Sequence, residues 1–134
     1  MATLTEDMQQ MIGAQLNFLA TADENGNPQV GPKGTMRVLD EHHLMYNEET
    51  GHHAWHNLQV NGRAAVAVVD RAAKKGFRFE GPIKIHTDDA IFEEAQEFAN
   101  ARHLPAAIAA VVITVDKVVR LDAGPHAGEV IEED

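Results

Sequence analysis

The chain contains no cysteine and no serine among its 134 residues. Without thiols there is no disulfide and no thiolate-bound metal, a usage that fits a reducing compartment such as the cytoplasm. Without serine, a Ser-His-Asp hydrolase is excluded. Long apolar runs are also missing. The longest, AAIAAVVITV from Ala106 to Val115, falls short of the roughly 20 residues a membrane helix requires. The start, MATLTEDMQQ, has no basic stretch followed by an apolar one, so no secretory signal is expected. Positive charge is in deficit. A formal net charge of −10 argues against nonspecific binding to nucleic acid or to an anionic membrane, both of which attract proteins by charge. A soluble, cytoplasmic protein is the expectation.

What is present suits one domain spanning residues 1–134. The hydrophobic fraction of 44% supports a single packed core at this length, with no internal repeat or low-complexity block. Charge is unevenly spread. The tail GEVIEED is acidic, whereas Lys33, Arg37 and five histidines lie between Pro32 and His56. An acidic protein with one local cationic region points to a small anionic ligand.

TLTEDMQQMIGAQL opens with Thr3 and Glu6 in capping-box spacing, and Leu4, Met8, Ile12 and Leu16 mark one apolar face of a helix. NFLATAD reads as a strand, and DENGNP as a hairpin turn in which Asn25-Gly26 accepts positive φ at both central positions. PQVGPKGTMRVLD is the next strand, with Pro32 at an edge or irregularity because it cannot donate to a ladder. Its alternation turns Lys33, Thr35 and Arg37 one way, Met36 and Val38 the other. Three polar side chains on one face either meet solvent or line a pocket. HLMYN is a short strand. A helix starts at Thr50-Gly51, runs through HHAWHNLQVN and stops at Asn61-Gly62. RAAVAVVD is a continuous apolar strand, buried on both faces or deep in a barrel. GFRFEGPIKIHT alternates, with a bulge or kink at Gly81-Pro82. Asp88 caps a helix bearing Ile91, Phe92, Ala95, Phe98 and Ala99 on its apolar side. AAIAAVVITVDKVVRLD is a strand region broken near Asp116-Lys117. Residues 123–134 read as a loose tail or a segment crossing to a partner. Hairpins dominate, so a small antiparallel barrel with peripheral helices is the expected packing.

The segment NEETGHHAWHNL, Asn47 to Leu58, carries the chain's one tryptophan. His52 and His56 have zinc-site spacing, but the zincin motif places a glutamate where this chain has His53, so no metal site is assigned. A helix N-terminus offers unpaired N–H groups and partial positive charge, which suit a phosphate. Thr50 adds a hydroxyl, Gly51 permits close approach, and His52, His53 and His56 are donors, with Lys33, Thr35 and Arg37 available from a strand. The alternative is an ordinary capped helix with solvent-facing histidines. Both readings stand at this point.

FLATADENGNPQVGPKGTMRVLDEHHLMYNEETGHHAWHNLQVNGRAAVAVVD followed by GFRFEGPIKI resembles the FMN-binding split-barrel family named after pyridoxamine 5′-phosphate oxidase, in particular its small stand-alone members. The likeness runs over roughly residues 15–120. It implies a mainly β fold, a six-stranded antiparallel Greek-key split barrel with peripheral α-helices, forming a homodimer with FMN in grooves at the interface. Carried over by position, Pro32, Lys33, Gly34, Thr35 and Met36 would lie along the flavin ring and ribityl chain. Asn47, Glu48 and Thr50 would line the flavin or its phosphate. His52, His53 and Asn57 fall at the phosphate-contacting helix start, and Trp55 would cover the ring, pack at the interface or sit in the core. Where the family often has Lys-Thr or Arg-Ser, this chain has His53-Ala54, which implies pH-dependent phosphate affinity.

The resemblance implies an FMN-dependent oxidoreductase acting on a small molecule through flavin N5, with NADH or NADPH a candidate donor and no assigned catalytic residue. His56 and Glu48 are the titratable candidates. The tail lacks the arginine-containing segment of the true oxidases, so pyridoxamine phosphate is not the expected substrate. Two alternatives remain: a non-enzymatic FMN-binding or electron-transfer protein, and a split barrel that holds haem or a deazaflavin instead.

Overall fold

The computed structural model describes residues 1–134. The first helix, α1 (Glu6–Ala14), is capped by Thr5 rather than by the expected Thr3–Glu6 pair. The Thr5 hydroxyl accepts from the Met8 amide, and the Met8 sulfur accepts from the Thr5 amide. The Thr3 amide donates instead to the Glu132 carboxylate at 2.7 Å. Leu4, Met8 and Ile12 are buried as the periodicity predicts, but Leu16 lies beyond the helix end and is exposed.

Nine strands follow, all paired antiparallel. They are β1 (Asn17–Ala22), β2 (Pro28–Pro32), β3 (Arg37–Asp40), β4 (His43–Glu48), β5 (Arg63–Asp70), β6 (Lys75–His86), β7 (Ala109–Thr114), β8 (Lys117–Arg120) and β9 (Val130–Glu133). Helix α2 (His53–Asn61) joins β4 to β5, and α3 (Ala90–Ala101) joins β6 to β7. The strand order is β2-β1-β5-β6-β7-β4-β3, with β8 on β6 and β9 on β8. The chain is thus a mainly β antiparallel split barrel with three helices.

The count exceeds six partly because PQVGPKGTMRVLD is not one strand. Gly34-Thr35 forms a turn, closed by the Met36 amide on the Lys33 carbonyl at 3.0 Å, so β2 ends at Pro32 and β3 starts at Arg37. Strand β6 is shared between two halves of the barrel, pairing β5 and β8 along one stretch and β7 along the other. It changes partners between Pro82 and Ile83, beside the Gly-Pro pair, with no bulge in its register. A Cβ at Gly81 would lie 1.7 Å from the Thr114 carbonyl oxygen, so only glycine permits this approach.

The barrel interior is filled by Leu19, Leu44, Tyr46, Val66, Phe79, Val111, Ile113 and Val118, and α1 and α2 bury Ile12 and Leu58 against them. Helix α3 packs on the outer side of β4 and β7, where Met45, Ala95, Ala110 and Val112 form a separate cluster with Leu39 and Ile91. Its N-cap is Asp89, not Asp88. The Asp89 carboxylate accepts from the Phe92 amide at 3.1 Å, a cap of about 1 kcal/mol.

Three further expectations are corrected. Of the two readings of RAAVAVVD, burial on both faces fails: it is a strand of the barrel wall, buried on one face only. Ala64, Val66 and Val68 point inward while Val69 is exposed, because no layer of this chain covers the outer side. In the β1–β2 hairpin only Gly26 takes positive φ, at +81°. The loop is five residues long and is organised by Asp23, whose carboxylate accepts from the Asn25 and Asn27 amides at 2.9 Å each. The tail is not loose, since β9 pairs with β8 of the same chain and Asp134 forms an ion pair with the Met1 ammonium.

Candidate functional site

Period-two alternation along β4 sorts the polar residues of the cationic region into two environments. Asn47 faces α3. Its amide donates to the Thr35 hydroxyl at 2.9 Å, its Nδ2 donates to the Ala95 carbonyl at 2.8 Å, and its Oδ1 accepts from Arg37 Nη2 at 3.2 Å. Arg37 Nη1 donates to the Thr35 carbonyl at 2.8 Å, and the guanidinium lies 3.7 Å from the Phe98 ring centroid, as does that of Arg102. Burial, partly offset by Glu94 and reinforced by Arg102, lowers the Arg37 pKa from its ordinary value. Thr35, Arg37 and Asn47 therefore tie the 33–36 turn to β4 and α3. The expected shared face of Lys33, Thr35 and Arg37 does not exist, because the turn interrupts the strand.

Tyr46 and Glu48 face the barrel interior. Tyr46 is fully buried and its hydroxyl donates to Glu48 Oε1 at 3.1 Å. Burial first, and then the charge of Glu48 with their hydrogen bond, raise the Tyr46 pKa far above its ordinary value, so the hydroxyl stays protonated. Glu48 Oε2 accepts from the amides of Thr50 and Gly51 at 3.3 and 3.1 Å. Lys33 Nζ lies over the Tyr46 ring, 5.3 Å from its centroid. One line of contacts thus connects the Lys33 turn, through Tyr46 and Glu48, to the residues that lead into α2.

Helix α2 begins one step later than expected. His52 is the N-cap and makes no side-chain capping bond, and its carbonyl accepts from the His56 amide at 3.1 Å. The amides of His53, Ala54 and Trp55 donate no backbone hydrogen bond, the usual state of a first helical turn. His52, His53 and His56 are exposed. His56 Nε2 lies 3.3 Å from Glu24. A cleft of about 280 Å³ separates this turn from the β1–β2 hairpin, with His53, His56 and Asn57 on one side and Asp23, Glu24 and Gln29 on the other. Gly62 ends the helix with φ +76°.

The predicted site residues therefore divide. Lys33, Gly34, Thr50, His52 and His53 reach the outer surface around the turn and the helix start, and a Cβ at Gly34 would meet nothing within 4 Å. Pro32 is exposed at the end of β2. Met36 is in the barrel core, and Trp55 is half-buried against it. Asn57 is buried, its Nδ2 donating to the Thr21 hydroxyl at 3.1 Å. Tyr46 and the hairpin carboxylates Asp23 and Glu24 went unnoticed in the sequence. A tyrosine two residues before a glutamate on one strand was the available signal for the first; nothing local marked the others.

A further feature lies on the outer face of β2, β1 and β5. Phe18, Ala20 and Ala22 stand opposite Pro32, Val30 and Pro28 on one side, and Phe18 and Ala20 stand opposite Ala67 and Ala65 on the other. With Val69 they form an apolar surface in which Phe18, Val30 and Val69 are exposed.

Residues 4–122 match the family model for pyridoxamine 5′-phosphate oxidase. Among solved structures, the chain is similar to HupZ of Group A Streptococcus, at 36% identity and TM-score 0.85 over 92% of this chain and 98% of that one. It is also similar to a candidate pyridoxamine 5′-phosphate oxidase of Lactobacillus delbrueckii, at 34% identity and TM-score 0.76 over 87% and 93% of the two chains. An FMN-binding protein of Syntrophomonas wolfei shares the fold with TM-score 0.76 at 14% identity, over 91% and 88%. The barrel, its order of elements and the match over most of its length make this chain a member of the pyridoxamine 5′-phosphate oxidase family.

Proposed function

We propose that the protein binds FMN at the start of α2 and the 33–36 turn, between two copies of the chain, and acts as an FMN-dependent oxidoreductase on a small molecule. The observation that carries the reading is the donor set. Three unpaired first-turn amides are flanked by exposed His52 and His53, with Lys33 joined to them through Tyr46 and Glu48. Amides at a helix start and nearby cations suit a phosphate dianion. Membership of a family with FMN-binding members adds independent support. The apolar outer face of β2, β1 and β5 supports the dimer, since such a surface on a protein of net charge −10 calls for a partner, and a second copy offers the same patch in return.

FMN bound in this way supplies hydride and electron transfer, and the chain's own residues bind and orient it. His56 is engaged by Glu24, and Glu48 by Tyr46, Thr50 and Gly51. The two titratable candidates are thus both engaged by other groups of the chain, which favours as second reading a carrier of electrons without a substrate of its own. Anaerobic mixing of the FMN-loaded protein with NADH or NADPH separates the two. Fast bleaching of the flavin, followed by turnover with an added acceptor, is expected of the enzyme. A bound flavin that neither donor reduces would support the carrier, and a protein that takes up no flavin would remove both.

A further inference from the structure

We propose that Glu48 is a positioning residue, an internal anion that fills the amide nest of the 50–51 turn and thereby sets the first turn of α2 for an anionic ligand without touching it. The identity of that ligand rests on the FMN reading above; the bracing role does not.

Glu48 is 1% exposed, and no lysine, arginine or histidine forms an ion pair with it. Its carboxylate is compensated by three neutral donors alone: the Tyr46 hydroxyl at 3.1 Å and the amides of Thr50 and Gly51 at 3.3 and 3.1 Å. A buried carboxylate persists only where such donors are held in place, so these contacts define the local structure. The main chain at the same residue is fixed too, since the Glu48 carbonyl accepts from the Ile108 amide at 2.7 Å. Gly51 closes the turn with φ +69°, and a Cβ there would approach Ile108 Cδ1 to 3.3 Å. The turn is therefore pressed between the Glu48 carboxylate and the segment entering β7.

This arrangement decides which amides are left for a ligand. A phosphate at Thr50 and Gly51 would compete with a carboxylate that already occupies both N–H groups. The amides of His53, Ala54 and Trp55 remain unpaired, and their position is set by the turn that Glu48 holds. Glu48, assigned from the resemblance to the ligand's surroundings, instead belongs to the support beneath the site.

Two variants of the full-length protein test this by hydrogen–deuterium exchange over residues 49–55 and by FMN titration. Glu48→Ala removes the acceptor for three donors and is expected to speed exchange in that segment, and to raise the FMN Kd, by about tenfold or more each. Glu48→Gln keeps an acceptor oxygen for the two amides, while the Tyr46 hydroxyl can rotate to accept from the new NH2 group. It is expected to restore both readouts to within roughly threefold of wild type. Rescue by glutamine separates bracing from direct electrostatic contact with the ligand. Unchanged exchange in Glu48→Ala would overturn the proposal, as would equal loss of FMN affinity in both variants. If wild type itself takes up no FMN, the flavin reading fails while the exchange measurement still decides the role of Glu48. Should Glu48→Ala fail to fold, Glu48→Asp draws the carboxylate back by one methylene and is expected to loosen the same segment. Full protection in that variant would count against the brace.

Discussion

Replacing Val30 by aspartate puts a charge in the middle of the apolar surface formed by β2, β1 and β5. In the isolated chain Val30 is 67% exposed, so the new carboxylate stays solvated and the fold should lose no more than about 0.5 kcal/mol. A symmetric dimer responds differently. Complete burial of a valine side chain contributes about 1.5–3 kcal/mol, and roughly two-thirds of that is still to be gained here. Both copies lose it, which gives about 2–4 kcal/mol before any cost of desolvating two like charges. The expected loss of at least about 3 kcal/mol corresponds to roughly a 100-fold rise in the dimer Kd, because 1.4 kcal/mol is tenfold. Sedimentation velocity over a dilution series reads this directly, with far-ultraviolet circular dichroism as the control for folding. A Val30→Asp protein that keeps the wild-type mass at every concentration would refute the placement of the interface. A wild-type protein that is monomeric throughout would refute the dimer.

Gly81→Ala should destabilise the fold by about 3 kcal/mol or more, because the added methyl would meet the Thr114 backbone rather than a yielding side chain; a shift below about 1 kcal/mol in urea unfolding would show that the backbone around Gly81 and Thr114 yields to a methyl group. Asp23 has its pKa lowered from 3.8, chiefly by hydrogen bonds from Asn27. A depressed carboxylate pKa stabilises the fold at pH above the unfolded value, and the contribution fades as pH falls through the folded one. The difference in urea midpoint between wild type and Asp23→Asn should therefore shrink below pH 3.8, and a pH-independent difference would contradict the sign. Lys33→Ala is expected to weaken FMN binding by about 1–3 kcal/mol in a fluorescence titration, and unchanged affinity would remove Lys33 from the site. His53→Ala is expected to weaken FMN binding in the same titration, and unchanged affinity would remove His53 from the site.

Much of the barrel was readable because its signals are local. Asn61-Gly62 ends α2, and the break at Asp116-Lys117 separates β7 from β8. Each depends on backbone chemistry within a few residues. The failures are of another kind. Thr3 is drawn away from α1 by Glu132, a partner 129 residues distant, and Thr5 takes the cap with a methionine sulfur as its counterpart. Lys33, Thr35 and Arg37 were given one face on the assumption of an unbroken strand, which the turn at Gly34-Thr35 denies. The burial of Glu48 among Tyr46, Thr50 and Gly51 has no periodic signature either. The start of a helix near Thr50-Gly51 was legible, but not which of its amides the protein pairs with its own carboxylate.

The central claim is that two copies of this chain hold FMN between them. Sedimentation velocity of the protein mixed with FMN, followed at the visible absorption of the flavin, joins both halves of it in one trace. Flavin colour moving with a species of twice the chain mass, at one FMN per chain, is the predicted result. Colour left behind as free flavin while the protein sediments alone would contradict the account.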